Sequence, residues 1–102
     1  MNVDNIMSVY DRKLIVIKNW IDGNLEKDVY KYGSLEVHRD TITSYGVLIF
    51  KLEDGFDTPI CYEKLYSATT IKQIRLLQRI FCDLKANYIV DNANIYGGDD
   101  NA

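Results

Sequence analysis

Three basic residues with helical spacing are the clearest candidates for a functional surface. Lys72, Arg75 and Arg79 follow three- and four-residue steps, which place side chains on the same face of an α-helix. Clustered positive charge of this kind can contact acidic protein surfaces or phosphate groups. An amphipathic helix also needs a solvated polar face, so a purely structural role is the alternative interpretation of the same residues.

Tyr66 and Gln73 extend this predicted binding set. Tyrosine and arginine are residue types that concentrate binding energy at protein interfaces. A tyrosine beside cationic side chains can also stack on an unpaired base, as single-stranded nucleic acid binding requires. The formal net charge of −3 favours a protein partner over nucleic acid.

Hydroxyl side chains mark the start of the same helix and form a second candidate site. Ser67, Thr69 and Thr70 precede or begin the apolar periodicity, and a helix N-terminus can hold a phosphate or carboxylate through its free amides. Simple capping, in which a hydroxyl accepts an early helical N–H, is the competing explanation and needs no ligand.

The sequence contains no convincing catalytic or metal-binding constellation. Cys61, Cys82 and His38 are the only cysteines and histidine, whereas a structural zinc site takes four such ligands. A catalytic cysteine would need His38 nearby, and nothing in the spacing requires that meeting. The glycines form no phosphate-binding motif. We therefore expect a protein that is not an enzyme and that uses no metal and no cofactor.

Length and composition predict one small soluble domain. The chain has 102 residues, 47% of them hydrophobic, and a sequence pI of about 5.0, which is ordinary for a globular protein able to bury a core. Isolated cysteines fit a reduced cytoplasmic setting, and we find no signal peptide or membrane span. Residues 1–92 are predicted to form a single α+β domain, and residues 93–102 a flexible acidic tail.

The predicted fold is a small, mainly antiparallel sheet with one principal amphipathic helix packed on one face. The helix is expected over residues 70–86, with Thr70 and Gln73 as a capping box and Ser67 as a weaker alternative start. Its buried face is expected to contain four apolar residues: Ile74, Leu77, Phe81 and Leu84. This helix would pack chiefly against residues 47–50 and 14–17 of the sheet.

Alternation and turn residues place the strands of that sheet. Residues 35–38 and 41–43 read as short strands separated by a turn at Arg39 and Asp40. Residues 45–50 and 58–62 should form a hairpin through Asp54 and Gly55. Because Pro59 has no amide donor, the second strand should either lie at an edge of the sheet or begin after Pro59. Residues 88–90 complete the predicted strands.

Two N-terminal segments are ambiguous in the sequence. Residues 12–20 favour a buried strand because they contain four consecutive aliphatic residues, although Leu14, Ile17 and Ile21 with Trp20 would also make one helical face. The turn at residues 22–24 ends this element. Residues 25–32 are either a connection or a short edge strand.

A resemblance to a group of small, uncharacterised phage and mobile-element proteins covers residues 35–80. It rests on Thr43-Ser44-Tyr45-Gly46 before an apolar strand, and on Tyr66-Ser67-Ala68-Thr69-Thr70 at a helix start, with Gln73 and Arg75 following. The resemblance implies an origin in a phage or similar element and a bacterial cytoplasm as the setting. It implies no activity and transfers no catalytic residue.

These observations favour a non-enzymatic accessory protein that acts by binding a host or phage protein and inhibits a host defence or another host machine. The alternative is a nucleic-acid-binding accessory or regulatory protein that uses the basic helix face. A third hypothesis is a module that binds a nucleotide or another small molecule at the helix start. No membrane partner is expected, and a homodimer is compatible with the sequence.

Overall fold

The computed structural model describes residues 8–53, 58–63 and 67–91, and these form an α+β fold, as predicted. Its elements in chain order are α1 (Val9–Asp22), β1 (Val29–Tyr32), β2 (Leu35–His38), β3 (Thr41–Ser44), β4 (Val47–Lys51), β5 (Ile60–Tyr62), α2 (Ala68–Asp83) and β6 (Ile89–Asp91). The predicted turn at Asp54 and Gly55, Tyr66 and the predicted tail lie outside the described residues.

The six strands form one sheet in the order β1-β2-β3-β4-β5-β6. Neighbouring strands from β1 to β5 are antiparallel, whereas β5 and β6 are parallel. Parallel neighbours need a crossover connection, and α2 is that connection. The mainly antiparallel sheet is therefore confirmed, with one β5-α2-β6 unit at its C-terminal side.

Turn chemistry explains the antiparallel part of the sheet. Gly33 has φ of 63° in the β1–β2 turn, and Tyr45 and Gly46 have φ of 53° and 79° in the β3–β4 turn. Both central residues of the β3–β4 turn thus have positive φ, and the first central residue of the β1–β2 turn does; each arrangement matches the twist of a two-residue hairpin. Tyr45 and Gly46 thus belong to a turn, and the predicted strand over residues 45–50 begins only at Val47.

A register shift between Ile42 and Thr43 alters the alternation in β4. Ile42 pairs with Phe50 and Thr43 pairs with Leu48, so Ile49 is the extra residue. Ile49 and Phe50 are consequently both buried although they are adjacent in sequence. A β-bulge of this kind bends the strand locally and increases its twist.

β5 begins directly after Pro59, which confirms one of the two predicted alternatives for this strand. The edge alternative is wrong, because β5 pairs with β4 on one side and β6 on the other. Pro59 lacks an amide hydrogen, but its carbonyl oxygen accepts a hydrogen bond from the backbone N–H of Ile89 at 2.9 Å.

The strand prediction for residues 12–20 is wrong, because these residues lie in α1. The Ser8 hydroxyl caps this helix by accepting from the Asp11 backbone N–H at 3.0 Å, and Gly23 ends it with φ of 74°. Ile17 and Trp20 are its buried residues. Caps at both ends and burial of one helical face outweigh the strand preference of the aliphatic run.

α2 begins two residues earlier than predicted, and its cap is Ser67. The Ser67 hydroxyl accepts from the Thr70 backbone N–H at 3.3 Å. The predicted capping box of Thr70 and Gln73 is therefore wrong. The predicted apolar face is correct in its main members, because Ile74, Leu77 and Phe81 are buried.

Both helices pack on the same face of the sheet around one core. α2 contacts the sheet through Phe81 and Phe50, whose rings stack with centroids 5.1 Å apart, and α1 joins this contact through Trp20. Leu14, Val16 and Ile17 therefore reach the core from α1 and not from a strand, whereas Ile15 is exposed. The buried apolar residues are Ile17, Trp20, Leu35, Val37, Ile42, Ile49, Phe50, Cys61, Ile74, Leu77, Ile80 and Phe81.

The strained turn at Tyr45 gives a stability prediction. Tyr45 is 63% exposed and has a positive φ, a conformation that Asn tolerates better than an aromatic residue. We expect Tyr45→Asn to raise the free energy of unfolding by about 1 kcal/mol. Denaturant unfolding monitored by Trp20 fluorescence measures this change. A clear loss of stability would show instead that the Tyr45 ring makes stabilising contacts.

Candidate functional site

The cationic face of α2, defined as Lys72, Arg75 and Arg79, is exposed along its length. These three residues span about 10 Å of the helix axis. Ile74 and Leu77 occupy the other side of the same turns and are buried. The helix thus places its charges outward because its apolar face is fixed against the sheet.

Within the described ranges, Lys72 and Arg75 form no ion pair, whereas Arg79 is partly engaged. The Arg79 guanidinium carbon lies 5.5 Å from the centroid of the Tyr10 ring. The Tyr10 hydroxyl donates a hydrogen bond to Asp83 Oδ2, and this bond is the main cause that raises the pKa of Tyr10. Lys72 and Arg75 are therefore the more available part of the cationic face.

Tyr10 is a residue of this surface that sequence reasoning missed. It lies at the start of α1 and is 73 residues from Asp83 in the chain. No local pattern links such distant positions, and only the packing of α1 beside α2 brings them together. The pair adds an aromatic ring to one end of the cationic face. Tyr66, which was predicted for this role, lies outside the described residues.

Gln73, predicted as a surface binding residue, is half-buried, and its side-chain amide bonds to residues of the sheet and its β1–β2 turn. Gln73 Nε2 donates to Ser34 Oγ at 2.9 Å, and Gln73 Oε1 accepts from the Ser44 hydroxyl. One helical residue corresponds to a rotation of about 100°, so Gln73 and Lys72 face different surroundings. Gln73 fixes the position of the helix and does not belong to its exposed face.

The hydroxyl residues at the helix start have three different environments. Ser67 is the N-cap, and Thr69 is exposed. Thr70 is buried, and its Oγ1 lies 3.1 Å from Ser44 Oγ and 3.2 Å from Ser67 Oγ. Capping and helix-to-sheet hydrogen bonding therefore account for Ser67 and Thr70. Of the predicted anion contacts, only Thr69 presents an exposed hydroxyl that these bonds do not use.

These hydrogen bonds form a polar network between α2, the end of β3 and the β1–β2 turn. Its members are Ser34, Ser44, Ser67, Thr70 and Gln73. Burial of polar groups is tolerated when the groups satisfy one another. The network locks the first two turns of α2 and so determines the direction in which the cationic face points.

The two thiols and the histidine lie in separate environments. Cys61 pairs with Phe50 in the sheet and faces the helices, where the Gln78 side chain donates to its sulfur at 3.7 Å. Burial raises the pKa of the Cys61 thiol to about 12. His38 follows the buried Val37 in β2, so its side chain lies on the face of the sheet opposite the helices. There its Nε2 lies 3.0 Å from Glu36 Oε1. His38 therefore cannot activate Cys61.

Among the described residues, no group of three or more His, Cys, Asp or Glu side chains is arranged to hold a metal ion. The same part of the chain contains no helix with the length and hydropathy needed to cross a membrane. The cationic face of α2 offers positive charge and hydrogen-bond donors on a helix that is fixed against the sheet.

Comparisons with known proteins place the chain in no family. No family model matches it, and searches of curated proteins and of solved structures also find no match.

The polar network can be tested through Gln73. Gln73→Ala leaves the Ser34 and Ser44 hydroxyls without their amide partner, and we expect a loss of about 1–3 kcal/mol in the free energy of unfolding. Denaturant titration gives this value. Arg75→Ala, on the exposed face of the same helix, is the matched control and should change stability by less than about 0.5 kcal/mol. Equal effects of the two variants would contradict the structural role of Gln73.

Thiol labelling tests the positions of the cysteines. Cys82 is exposed and Cys61 is buried with a raised pKa, so we expect a thiol reagent to modify Cys82 alone in the folded protein. Both should react in denaturant, and Cys82→Ser should abolish labelling of the folded protein.

The raised pKa of Cys61 also affects stability. Unfolded Cys61 releases its proton near its ordinary pKa of 9.0, whereas folded Cys61 does so only near about 12. The thiol of Cys61 therefore lowers the free energy of unfolding as pH rises between those values.

Proposed function

We propose that this protein is a non-enzymatic binding protein that docks the cationic face of α2 against an acidic surface of a partner protein. The observation that carries the proposal is the exposure of Lys72 and Arg75 on a fixed helix, with no ion-pair partner in the described ranges. Opposite charge on the partner would steer the encounter and set its orientation.

Preorganisation supports this function. Ile74 and Phe81 anchor α2 in the core, and the polar network fixes its N-terminal turns. A rigid binding surface loses less conformational freedom on association than a flexible one, and this raises affinity for a given set of contacts. The Tyr10 ring beside Arg79 adds the residue types that dominate binding energy at interfaces.

The resemblance to small phage and mobile-element proteins supplies the biological setting of the proposal. In that setting the partner is a host or phage protein in the bacterial cytoplasm. Occupation of an acidic surface on a defence protein or another host machine would block that protein by contact alone. Such an inhibitor needs no catalytic group, and the buried, protonated Cys61 is unsuited to act as one.

Single-stranded nucleic acid is a second candidate ligand of the same face. The described ranges contain eleven of the twelve Lys and Arg residues but only ten of the fifteen Asp and Glu residues. The described residues thus carry a formal net charge of 11 − 10 = +1, so they alone repel phosphate less than the net charge of the whole chain indicates. Tyr10 provides an aromatic ring next to the cations.

The double variant Lys72→Glu/Arg75→Glu tests the proposed function. It reverses two charges while leaving the contact of Arg79 with Tyr10 intact. Partners captured from bacterial lysate by the unmodified protein are identified by mass spectrometry, purified, and titrated by calorimetry. We expect the double variant to weaken binding by about thirty-fold or more, the usual effect of losing a dominant interface contact.

Arg12→Glu/Lys31→Glu is the matched control, because it changes net charge equally on α1 and β1. The control should bind as the unmodified protein does, and equal weakening by both double variants would contradict the proposal.

A labelled single-stranded oligonucleotide tests the second candidate. Three phosphate contacts predict a slope of about −2 for log affinity against log salt concentration. If the oligonucleotide binds with this salt dependence, and if Lys72→Glu/Arg75→Glu abolishes that binding, the ligand of the cationic face is nucleic acid and not a protein.

A further inference from the structure

The described part of the fold leaves the positive charge of α2 uncompensated. The helix contains three basic residues and one acidic residue, Asp83, and Asp83 already accepts a hydrogen bond from the Tyr10 hydroxyl. Lys72 and Arg75 form no ion pair with any residue in the described ranges. The occupant that complements this face electrostatically is an acidic segment.

Acidic residues of the same chain are available for this role. Five of them lie outside the described ranges: Asp4, Asp54, Asp57, Asp99 and Asp100. Among these five, only Asp99 and Asp100 are adjacent in sequence, so they bring two negative charges to one place. Both belong to the acidic segment, defined here as residues 92–102, which follows β6 directly.

β6 ends beside the middle of α2, as two hydrogen bonds show. The Asp91 carbonyl oxygen accepts from the Glu63 backbone N–H at 3.3 Å. The Glu63 carboxylate in turn accepts from the side-chain amide of Gln78 in α2. Arg75 precedes Gln78 by three residues, and residues with this spacing are neighbours on a helix surface. The chain therefore leaves the sheet close to the turns of α2 that carry Arg75 and Lys72.

The acidic segment is long enough to bring its carboxylates to these cations. Asp99 follows Asp91 by eight residues, and an extended chain of that length spans about 26 Å. Two hydrogen bonds and one turn of helix connect Asp91 to Arg75, a path of roughly 20 Å. The carboxylates of Asp99 and Asp100 can thus reach the cationic face without full extension of the chain.

We propose that the acidic segment binds the cationic face of its own chain, with Asp99 and Asp100 contacting Lys72 and Arg75. Each carboxylate accepts charge-assisted hydrogen bonds from a cation. Because the contact is intramolecular, the effective concentration of the carboxylates is far above that of a separate ligand. Ion pairs at an exposed surface are individually weak, so a stronger acidic ligand displaces the segment.

This contact gives the cationic face an internal competitor and so selects among partners. The contact itself needs no partner, whereas its regulatory effect rests on the proposed function. A partner must offer more than two carboxylates, or further contacts such as those to Tyr10 beside Arg79, to replace the segment. Weakly acidic surfaces do not meet this condition, and discrimination against them is a form of specificity.

Paramagnetic broadening of amide resonances in the full chain tests the contact. A nitroxide is attached to Asn101→Cys in a Cys82→Ser background, where the remaining thiol, Cys61, is buried. We expect the label to broaden the amide resonances of Lys72 and Arg75, and to do so less at about 0.5 M salt, which screens exposed ion pairs. Reduction of the nitroxide with ascorbate gives the diamagnetic reference.

Exchange of the charges separates a specific contact from simple proximity. Lys72→Glu/Arg75→Glu in the labelled chain should reduce the broadening at positions 72 and 75. Addition of Asp99→Lys/Asp100→Lys to that variant should restore the broadening, because the two sets of charges are complementary again. Circular dichroism establishes that each variant is folded.

A fluorescent peptide of six aspartates serves as the probe for competition. Fluorescence anisotropy should show that Asp99→Asn/Asp100→Asn binds this peptide about five-fold more tightly than the unmodified chain, because two exposed ion pairs of ordinary strength leave only a minority of molecules with an open face. Asp54→Asn/Asp57→Asn removes the same charge elsewhere in the chain. This matched control should bind the peptide as the unmodified chain does.

Three results would overturn the proposal. The first is an unmodified chain without broadening at Lys72 and Arg75, and the second is broadening that persists in Lys72→Glu/Arg75→Glu. The third is equal broadening between a spin-labelled copy and a separate isotope-labelled copy, which would show that the segment binds a neighbouring molecule. The broadening is measured without a partner and the proposed function by partner titration, so either proposal can fail while the other stands.

Discussion

An aromatic cluster in the core joins both helices to the sheet. Phe81 of α2 stacks on Phe50 of β4 and meets the rings of Trp20 and Tyr88 edge to face. Each of these aromatic rings belongs to a different part of the chain, so one cluster holds both helices and the C-terminal side of the sheet. Such contacts add to the free energy gained from burying large apolar surfaces. The Trp20 indole N–H finds no acceptor among the described residues, and burial of the ring outweighs this.

The sequence predicts the part of the fold that depends on neighbouring residues. β2 and β3 alternate clearly, as their sequence predicts, whereas the turn at Tyr45 and Gly46 was not predicted because both residues continue into an apolar run. α1 was assigned wrongly because the preference of consecutive aliphatic residues for strands is local, whereas the stability of this helix comes from Trp20 and Ile17 in the distant core. Propensity decides weakly when tertiary packing opposes it.

The same distinction between local and distant contacts applies to the candidate site. The exposure of Lys72, Arg75 and Arg79 follows from helical periodicity, which is visible in the sequence. The internal role of Gln73 does not, since its partner Ser34 is 39 residues away and comes close only when the sheet has formed. Thr70 and Ser44 are 26 residues apart and present the same difficulty. A polar side chain at a helix start therefore cannot be assigned to solvent from spacing alone.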